Sequence, residues 1–416
     1  MATKPAVLIC GGLNTFSRAI AEYLVPKEGD ALVSALRVVD KYSVVPATTY
    51  VGHSFPELLK KDVVTYQQVN LTVPANITKV FEPAPGAEPF SIVFDCTGDI
   101  TFDRADEHQA VHTAALAYAI GKEAARRNVA AYIRLQPPYY ECTADKTDKG
   151  AHTEADNLKP EGVRGQWFHE TLRLLAGIKE LNLAIVRVGS VYGPRTLCAE
   201  VTTCLILGAV YKKDNEELKF LYPGNRINTV HTDDVAAGSF AIAQWLSKVG
   251  RAEADKLAGE EIHYAMDKSK PTEIAGEPGP KEKVVAPMFN LVDDTDATQG
   301  GIAAVVAEIF SIKTGSFNPL IGALAKMSIT DVATQANEEH SQTWMQLITE
   351  ADPPIGYTPL TAYLDPHLFG KRSISYSGAK LKKLTSYQLR RPTLTKQNVA
   401  EVLESYKADG IWPNSA

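Results

Sequence analysis

Val7-Leu8-Ile9-Cys10-Gly11-Gly12-Leu13-Asn14-Thr15-Phe16-Ser17-Arg18 is the stretch on which the fold turns. An apolar strand runs into a glycine turn and then into a helix, which is how a dinucleotide-binding unit opens. Gly11 keeps the first place of the GxxGxxG spacing that such turns carry, while Asn14 and Ser17 occupy the second and third. The first glycine allows the tight bend, the second lets the backbone approach a pyrophosphate, and the third lets helix and strand pack closely. Asn tolerates positive φ better than most residues. Asn14 is therefore expected to preserve the turn while its side chain takes space that a phosphate would use. Two outcomes stay open: a pyrophosphate site formed by Gly11, Asn14, Thr15 and Phe16, or a packed turn that holds no ligand.

Outward from this turn, apolar runs alternate with helix-period segments through the first half of the chain. Strands are expected at 6–10, 36–40, 63–69, 91–96, 130–135 and 183–187, with helices near 16–25, 75–82, 106–127 and 166–180. That alternation predicts an α/β fold, a Rossmann-type doubly wound parallel sheet with right-handed crossovers. Beyond Tyr192-Gly193-Pro194 the alternation weakens into mixed helix and short strand, and 267–283 reads as an exposed loop rich in Pro, Gly, Lys and Glu. The expected division is a dinucleotide-binding-type unit over 1–195 with 226–264, and a smaller C-terminal α/β unit of substrate-domain type over 196–225 and 265–416.

Composition narrows the function classes. The 416 residues are 45% apolar, enough for a large packed core. A net charge of −6 with the charges interspersed argues against a nucleic-acid partner, which needs clustered Lys and Arg. No apolar run approaches the roughly 18 residues of a membrane span. Five cysteines without a C-x-x-C pair suggest neither a disulfide framework nor a zinc site. The first strand follows Met1 within a few residues, leaving no room for a targeting peptide, so the cytoplasm is the expected location. His108 and His112, at i, i+4 spacing, lack a third ligand at any recognised spacing and read as solvated or core histidines.

The second strand ends in Val38-Val39-Asp40-Lys41. An acidic residue about 20 residues past a glycine turn is where adenosine ribose hydroxyls are held. Asp40 favours NAD by repelling a 2′-phosphate, although Lys41 beside it leaves NADP open. Asn70-Leu71 closes the third strand and Cys96-Thr97-Gly98 the fourth, the places where such folds touch adenine and the nicotinamide-side ribose.

Gly11 with Arg18, Val38 to Asp40, Val93 to Gly98, Arg187 to Pro194, Asn228 to Ala236 and Gly410 to Pro413 together resemble the extended short-chain dehydrogenase/reductases, in their NAD-dependent epimerase/dehydratase branch. The likeness runs over nearly the whole length. It implies a Rossmann domain that binds NAD(P), a smaller substrate domain, helix-mediated dimers, and a structural role for His231, Asp233 and Asp234 in tying the two parts together. It also implies a reacting Tyr, a Lys four residues later, and a Ser or Thr that polarises the substrate oxygen. A Tyr titrates near 10 unperturbed, so it works near neutral pH only beside a stabilising cation.

Those three residues are missing from their expected places. Gln136-Pro137-Pro138-Tyr139-Tyr140 follows the fifth strand, so the hydroxyl is lost. The Tyr/Lys pair should open the next helix, 16–24 residues before Arg187, where Trp167 and Thr171 stand instead. Tyr-x-x-x-Lys matches at Tyr23, Tyr118, Tyr264 and Tyr376 are all displaced from this helix. Tyr139, Tyr140 and His169 are the candidates for substitute proton chemistry, with the filling of a vacated site as the competing account. The expectation is a diverged member of that family that acts as a non-catalytic NAD(P)-binding, structural or regulatory protein. An active NAD(P)-dependent oxidoreductase, epimerase or dehydratase with nonstandard residues is the alternative. Its partner is expected to be a small molecule or a protein in the old cleft, with a homodimer or a larger assembly as the quaternary expectation.

Overall fold

The computed structural model describes residues 4–142, 151–266, 274–317, 329–364 and 372–414. Its main sheet contains β1 (Ala6–Cys10), β2 (Ala35–Asp40), β3 (Val64–Gln68), β4 (Ile92–Asp95) and β5 (Ala131–Gln136). The short β6 (Tyr140–Glu141) and β7 (Lys159–Pro160) pair with each other outside it, and β8 (Leu183–Val188) rejoins it. β9 (Ser190–Tyr192), β10 (Leu218–Phe220) and β11 (Thr229–His231) lie in small two-stranded pairings. β12 (Gly259–Glu261) and β13 (Val285–Leu291) complete the sheet in the order β12-β13-β8-β5-β4-β1-β2-β3. All neighbours are parallel except β12 on β13. The sheet is doubly wound, with its switch point between β1 and β4.

The central strands are apolar on both faces because helices cover both. One layer holds α1 (Thr15–Leu24), which packs with the helix Thr232–Val249 over Val7, Ile9, Phe94 and Ile133. The opposite layer has Leu8, Val93, Tyr132 and Ile185 beneath helices Pro74–Phe81, Leu116–Arg126 and Gly162–Ala176. A separate core gathers Tyr140 and Val292, which follow the carboxyl ends of β5 and β13, and Tyr192, the last residue of β9. Helices Glu200–Asp214, Gln299–Phe310, Ile329–Thr349 and Lys396–Ala408 enclose it around Trp344, Tyr406 and Trp412. The crest where the strands end thus lies under this second core.

Three differences from the sequence expectation bear on the site. β13 lies in the sheet beside β8, although the alternation had faded before it. The helix expected over 106–127 runs through a π-helical stretch, Ala110–Ala115, where Gln109 donates to the Asp99 carbonyl (2.9 Å) and Thr113 accepts from the Asp99 amide (3.0 Å). The helix expected over 166–180 instead spans Gly162–Ala176, which moves every residue placed at its mouth.

Candidate functional site

Gly11 adopts φ +74°, and a Cβ there would lie 2.8 Å from the Cys96 carbonyl oxygen, so the first glycine of the turn is sterically required. Gly12 is equally constrained by Val38, whose Cγ1 would lie 2.3 Å from an added Cβ. Asn14 corrects the expectation. Its φ is −79°, an ordinary extended value, and its side chain turns inward rather than into phosphate space. Nδ2 donates to the carbonyls of Gly11 (3.0 Å) and Cys96 (2.7 Å), while Oδ1 caps α1 by accepting from the Ser17 amide (3.0 Å). A side chain has taken over the joining of the β1 and β4 ends, and with it one amide of the helix N-terminus. Thr15 and Phe16 form the first two helical positions.

Asp40 ends β2, with Oδ2 accepting from the Leu13 amide (2.9 Å) and Oδ1 from the Lys41 amide (2.7 Å). The carboxylate is thereby aimed, and since it offers about four lone-pair sites it retains acceptor capacity. Burial raises its pKa, against those amide bonds. Asn70 closes an Asx turn on Thr72 (3.0 Å to the amide), and Leu71 is buried beside it. Gly11, Asn14, Thr15, Phe16, Asp40, Lys41, Asn70, Leu71, Cys96, Thr97 and Gly98 therefore share one crest, around the carboxyl ends of β1 to β4. The Cys96 thiol is buried and its pKa driven up, first by desolvation.

The far side of the switch point is built differently. Asp95 and Arg134 form an ion pair (2.9 Å) with neither side chain exposed, and Asp95 also accepts from Thr97 Oγ1 (2.6 Å) and Tyr132 Oη (2.7 Å). The Phe168 ring packs on Gly98, and a Cβ at that glycine would meet it at 2.6 Å. Arg164, in the first turn of the helix Gly162–Ala176, donates Nη1 to the Ile100 carbonyl (2.6 Å). Its guanidinium lies 3.9 Å from the centre of the Tyr139 ring and 5.4 Å from that of Phe102. One arginine thus bridges the segments that follow β4 and β5.

The earlier start of this helix also changes which residues lie at its opening. Two residues four apart at its opening are Glu161, the residue before Gly162, and Gly165. Trp167 and Thr171 lie deeper, where Trp167 Nε1 donates to Asp106 (2.9 Å) and Thr171 Oγ1 to the Trp167 carbonyl (2.8 Å). Glu161 instead faces Arg372 (3.4 Å), which also pairs with Glu200 (3.4 Å) and donates to the Pro138 carbonyl (2.7 Å). At Gly165 an added Cβ would lie 2.7 Å from the Tyr139 carbonyl oxygen. Counting back from Arg187 did not reach the opening of the helix. The usable signal was Pro160-Glu161-Gly162, a break immediately before a helix.

Tyr140 and His169 do meet. His169 Nε2 lies 2.7 Å from the His263 carbonyl and must carry the proton there, which leaves Nδ1 to accept from Tyr140 Oη at 3.2 Å. Burial pushes the phenol up to about 12 and pulls the imidazole down to about 4, opposite to what a phenolate needs. Tyr139 is held by Arg164 and does not share this pair. Of the displaced tyrosines, Tyr376 is buried and Tyr118 lies on the helix Leu116–Arg126 with Lys122 over its ring. Lys268, the partner of Tyr264 in its match, falls outside the described residues. His108 stacks on His112 and pairs with Asp99 (2.6 Å), and no group of three metal-type ligands occurs among the described residues. His231 caps the helix Thr232–Val249, and Asp234 accepts from Tyr387 Oη and the amides of Arg390 and Arg391 at 2.6, 2.6 and 2.9 Å, tying that helix to the C-terminal segment. No helix of the described residues is long and apolar enough to cross a membrane.

No family model matches the sequence, and no curated protein matches it. The fold, by contrast, has clear counterparts. The Bordetella bronchiseptica enzyme WbmG, solved with NAD and UDP, aligns over 99% of this chain and 97% of its own at 12% identity and a TM-score of 0.59. A UDP-glucuronic acid 4-epimerase from Bacillus cereus, solved with NAD, covers 95% and 96% at 11% identity and a TM-score of 0.60. The Thermotoga maritima UDP-glucose 4-epimerase, solved with UDP-glucose, covers 97% and 98% at 13% and 0.58. Over nearly its whole length the chain shares the Rossmann-like fold of these three enzymes.

Proposed function

We propose that this chain is a diverged extended short-chain dehydrogenase/reductase that keeps a nucleotide-binding crest without hydride-transfer chemistry. The observation that carries the reading is the mouth of the helix Gly162–Ala176, where the two residues four apart are Glu161 and Gly165, which we take as the counterparts of the family's Tyr and Lys. The backbone there leaves no room for a side chain at 165. Among the described residues no lysine stands beside Glu161, so the acid/base step lacks the cation that the family's Tyr relies on. The substitute pair Tyr140 and His169 is buried and shifted the wrong way. Residues that react as a unit lose their rate enhancement together, so the absence of any one of them already removes most of it. The adenosine end, at Asp40, Asn70 and the N-terminus of α1, fits a nucleotide. The nicotinamide end, bridged by Arg164, does not.

The test is turnover. Purified protein incubated with NAD+ and UDP-glucose or UDP-glucuronic acid is expected to yield neither reduced cofactor nor epimerised sugar above the buffer control. Measurable turnover that disappears in Glu161→Gln would overturn the reading and make Glu161 the acid/base of an active enzyme.

A further inference from the structure

The two halves of the crest differ, and the difference bears on which nucleotide can lie there. A dinucleotide spans the switch point, with its adenosine over the β2 side and its second nucleoside over the β4 and β5 side. On the first side the Asp40 carboxylate is fixed by two amides and keeps lone pairs for ribose hydroxyls. The ten-residue α1 directs its N-terminal dipole at the same place, and Asn14 occupies only the Ser17 amide of its first turn. On the second side Ile100 and Phe102 from the segment after β4, Tyr139 from that after β5, and Arg164 from the next helix close on one another. Entry of a nicotinamide riboside would require separating the Arg164–Tyr139 stack and breaking the 2.6 Å bond to Ile100. The oxidised ring, a cation, would also meet a guanidinium, and like charges brought together disfavour the partner that carries them.

Resting on the nucleotide-binding reading above, we infer that the crest takes an adenine nucleotide that ends at its phosphates, of the ADP type, in preference to NAD. The phosphates end at α1, and nothing of the ligand crosses to the β4 side. A closed second half then serves as a selectivity device, because it rejects the dinucleotide by occupying the volume its second nucleoside needs.

Calorimetric titration of the full chain with AMP, ADP, NAD+ and NADH tests this. ADP is expected to bind at least about tenfold more tightly than either dinucleotide, a difference of about 1.4 kcal/mol. Asp40→Ala is expected to weaken ADP at least about tenfold. Arg164→Ala is expected to tighten NAD+ while leaving ADP unchanged. Phe102 is exposed, so Phe102→Ala supplies a second opening of the same wall with little risk to the fold. NAD+ binding as tightly as ADP to the unaltered chain overturns the inference, as does an absence of ADP binding by protein that melts cooperatively. Neither result touches the non-catalytic reading, which falls only if turnover is seen.

Discussion

Replacing Asp95 by Asn should destabilise the protein more than almost any other isosteric change. Asp95 ends β4 with no exposed surface, and its partner Arg134 on β5 is equally enclosed, their contact measuring 2.9 Å. Arg134 Nε and Nη2 are buried without hydrogen-bond partners, and among the described residues no second carboxylate lies within ion-pair reach of the guanidinium. Asn keeps the shape of Asp but removes the charge. Breaking a buried pair from one side costs about 3–5 kcal/mol, because the remaining charge is left uncompensated. Unfolding entropy of about 2.1 cal/mol/K per residue makes each kcal/mol worth roughly 1 °C in a chain of this length, so the melting temperature should fall by about 3–6 °C. Differential scanning calorimetry on Asp95→Asn, Arg134→Met and the double variant measures this. The double variant should recover much of the loss, since removing both charges is often close to neutral. An Asp95→Asn melting point within about 1 °C of the parent, or a double variant as unstable as the summed singles, would refute the argument.

Two further outcomes follow from the same physics. Glu170 is fully buried beside Arg173 and Glu277, and desolvation pushes its pKa up to about 8. The folded state therefore holds a proton that the unfolded chain releases near 4.5, and the stability this contributes is lost as pH rises from the unfolded value through about 8. Glu170→Gln should flatten that limb of the stability–pH curve in urea titrations, and an unchanged limb would count against it. Asn14→Ala should cost about 1 kcal/mol by removing the α1 cap, while Asn14→Gly should cost less, seen as midpoint shifts in denaturant. Equal shifts would mean that the bonds to Gly11 and Cys96, rather than the cap, do the holding.

β1, β2, β4 and β5 were legible because parallel strands buried on both faces carry largely apolar runs, and their limits, like those of the partly exposed edge strand β3, fall within a residue of those expected. β13 was not, since Pro287 and Asn290 interrupt its pattern. The structure absorbs both: Pro287 precedes the pairing with β8, which starts at Met288, and Asn290 is spent on Arg187, whose Nε donates to it at 2.9 Å. The opening of the helix Gly162–Ala176 escaped for a different reason. Its first turn, Gly-Val-Arg-Gly, has neither helix propensity nor apolar period, and its position comes from tertiary contacts, the Glu161 amide on the Tyr139 carbonyl at 3.0 Å and Arg164 across the crest. The place of Asp40 at the end of β2 could be read from spacing alone because a strand end fixes it. Arg164 could not, because its role exists only once β4, β5 and the helix are assembled.

The same assembly links the proposed loss of hydride chemistry to the proposed closure of the crest. The Tyr139 carbonyl comes so near residue 165 that only glycine fits, while the centre of the Tyr139 ring lies 3.9 Å from the guanidinium of Arg164, one position earlier in the helix. A lysine at 165 would push the segment after β5 away from the helix, and the stack on Arg164 would part with it. The proposed bar to the second nucleoside and the proposed loss of the lysine therefore rest on the same contact. Opening the crest by Arg164→Ala does not restore hydride chemistry, and restoring a lysine at 165 cannot be done while the crest stays shut.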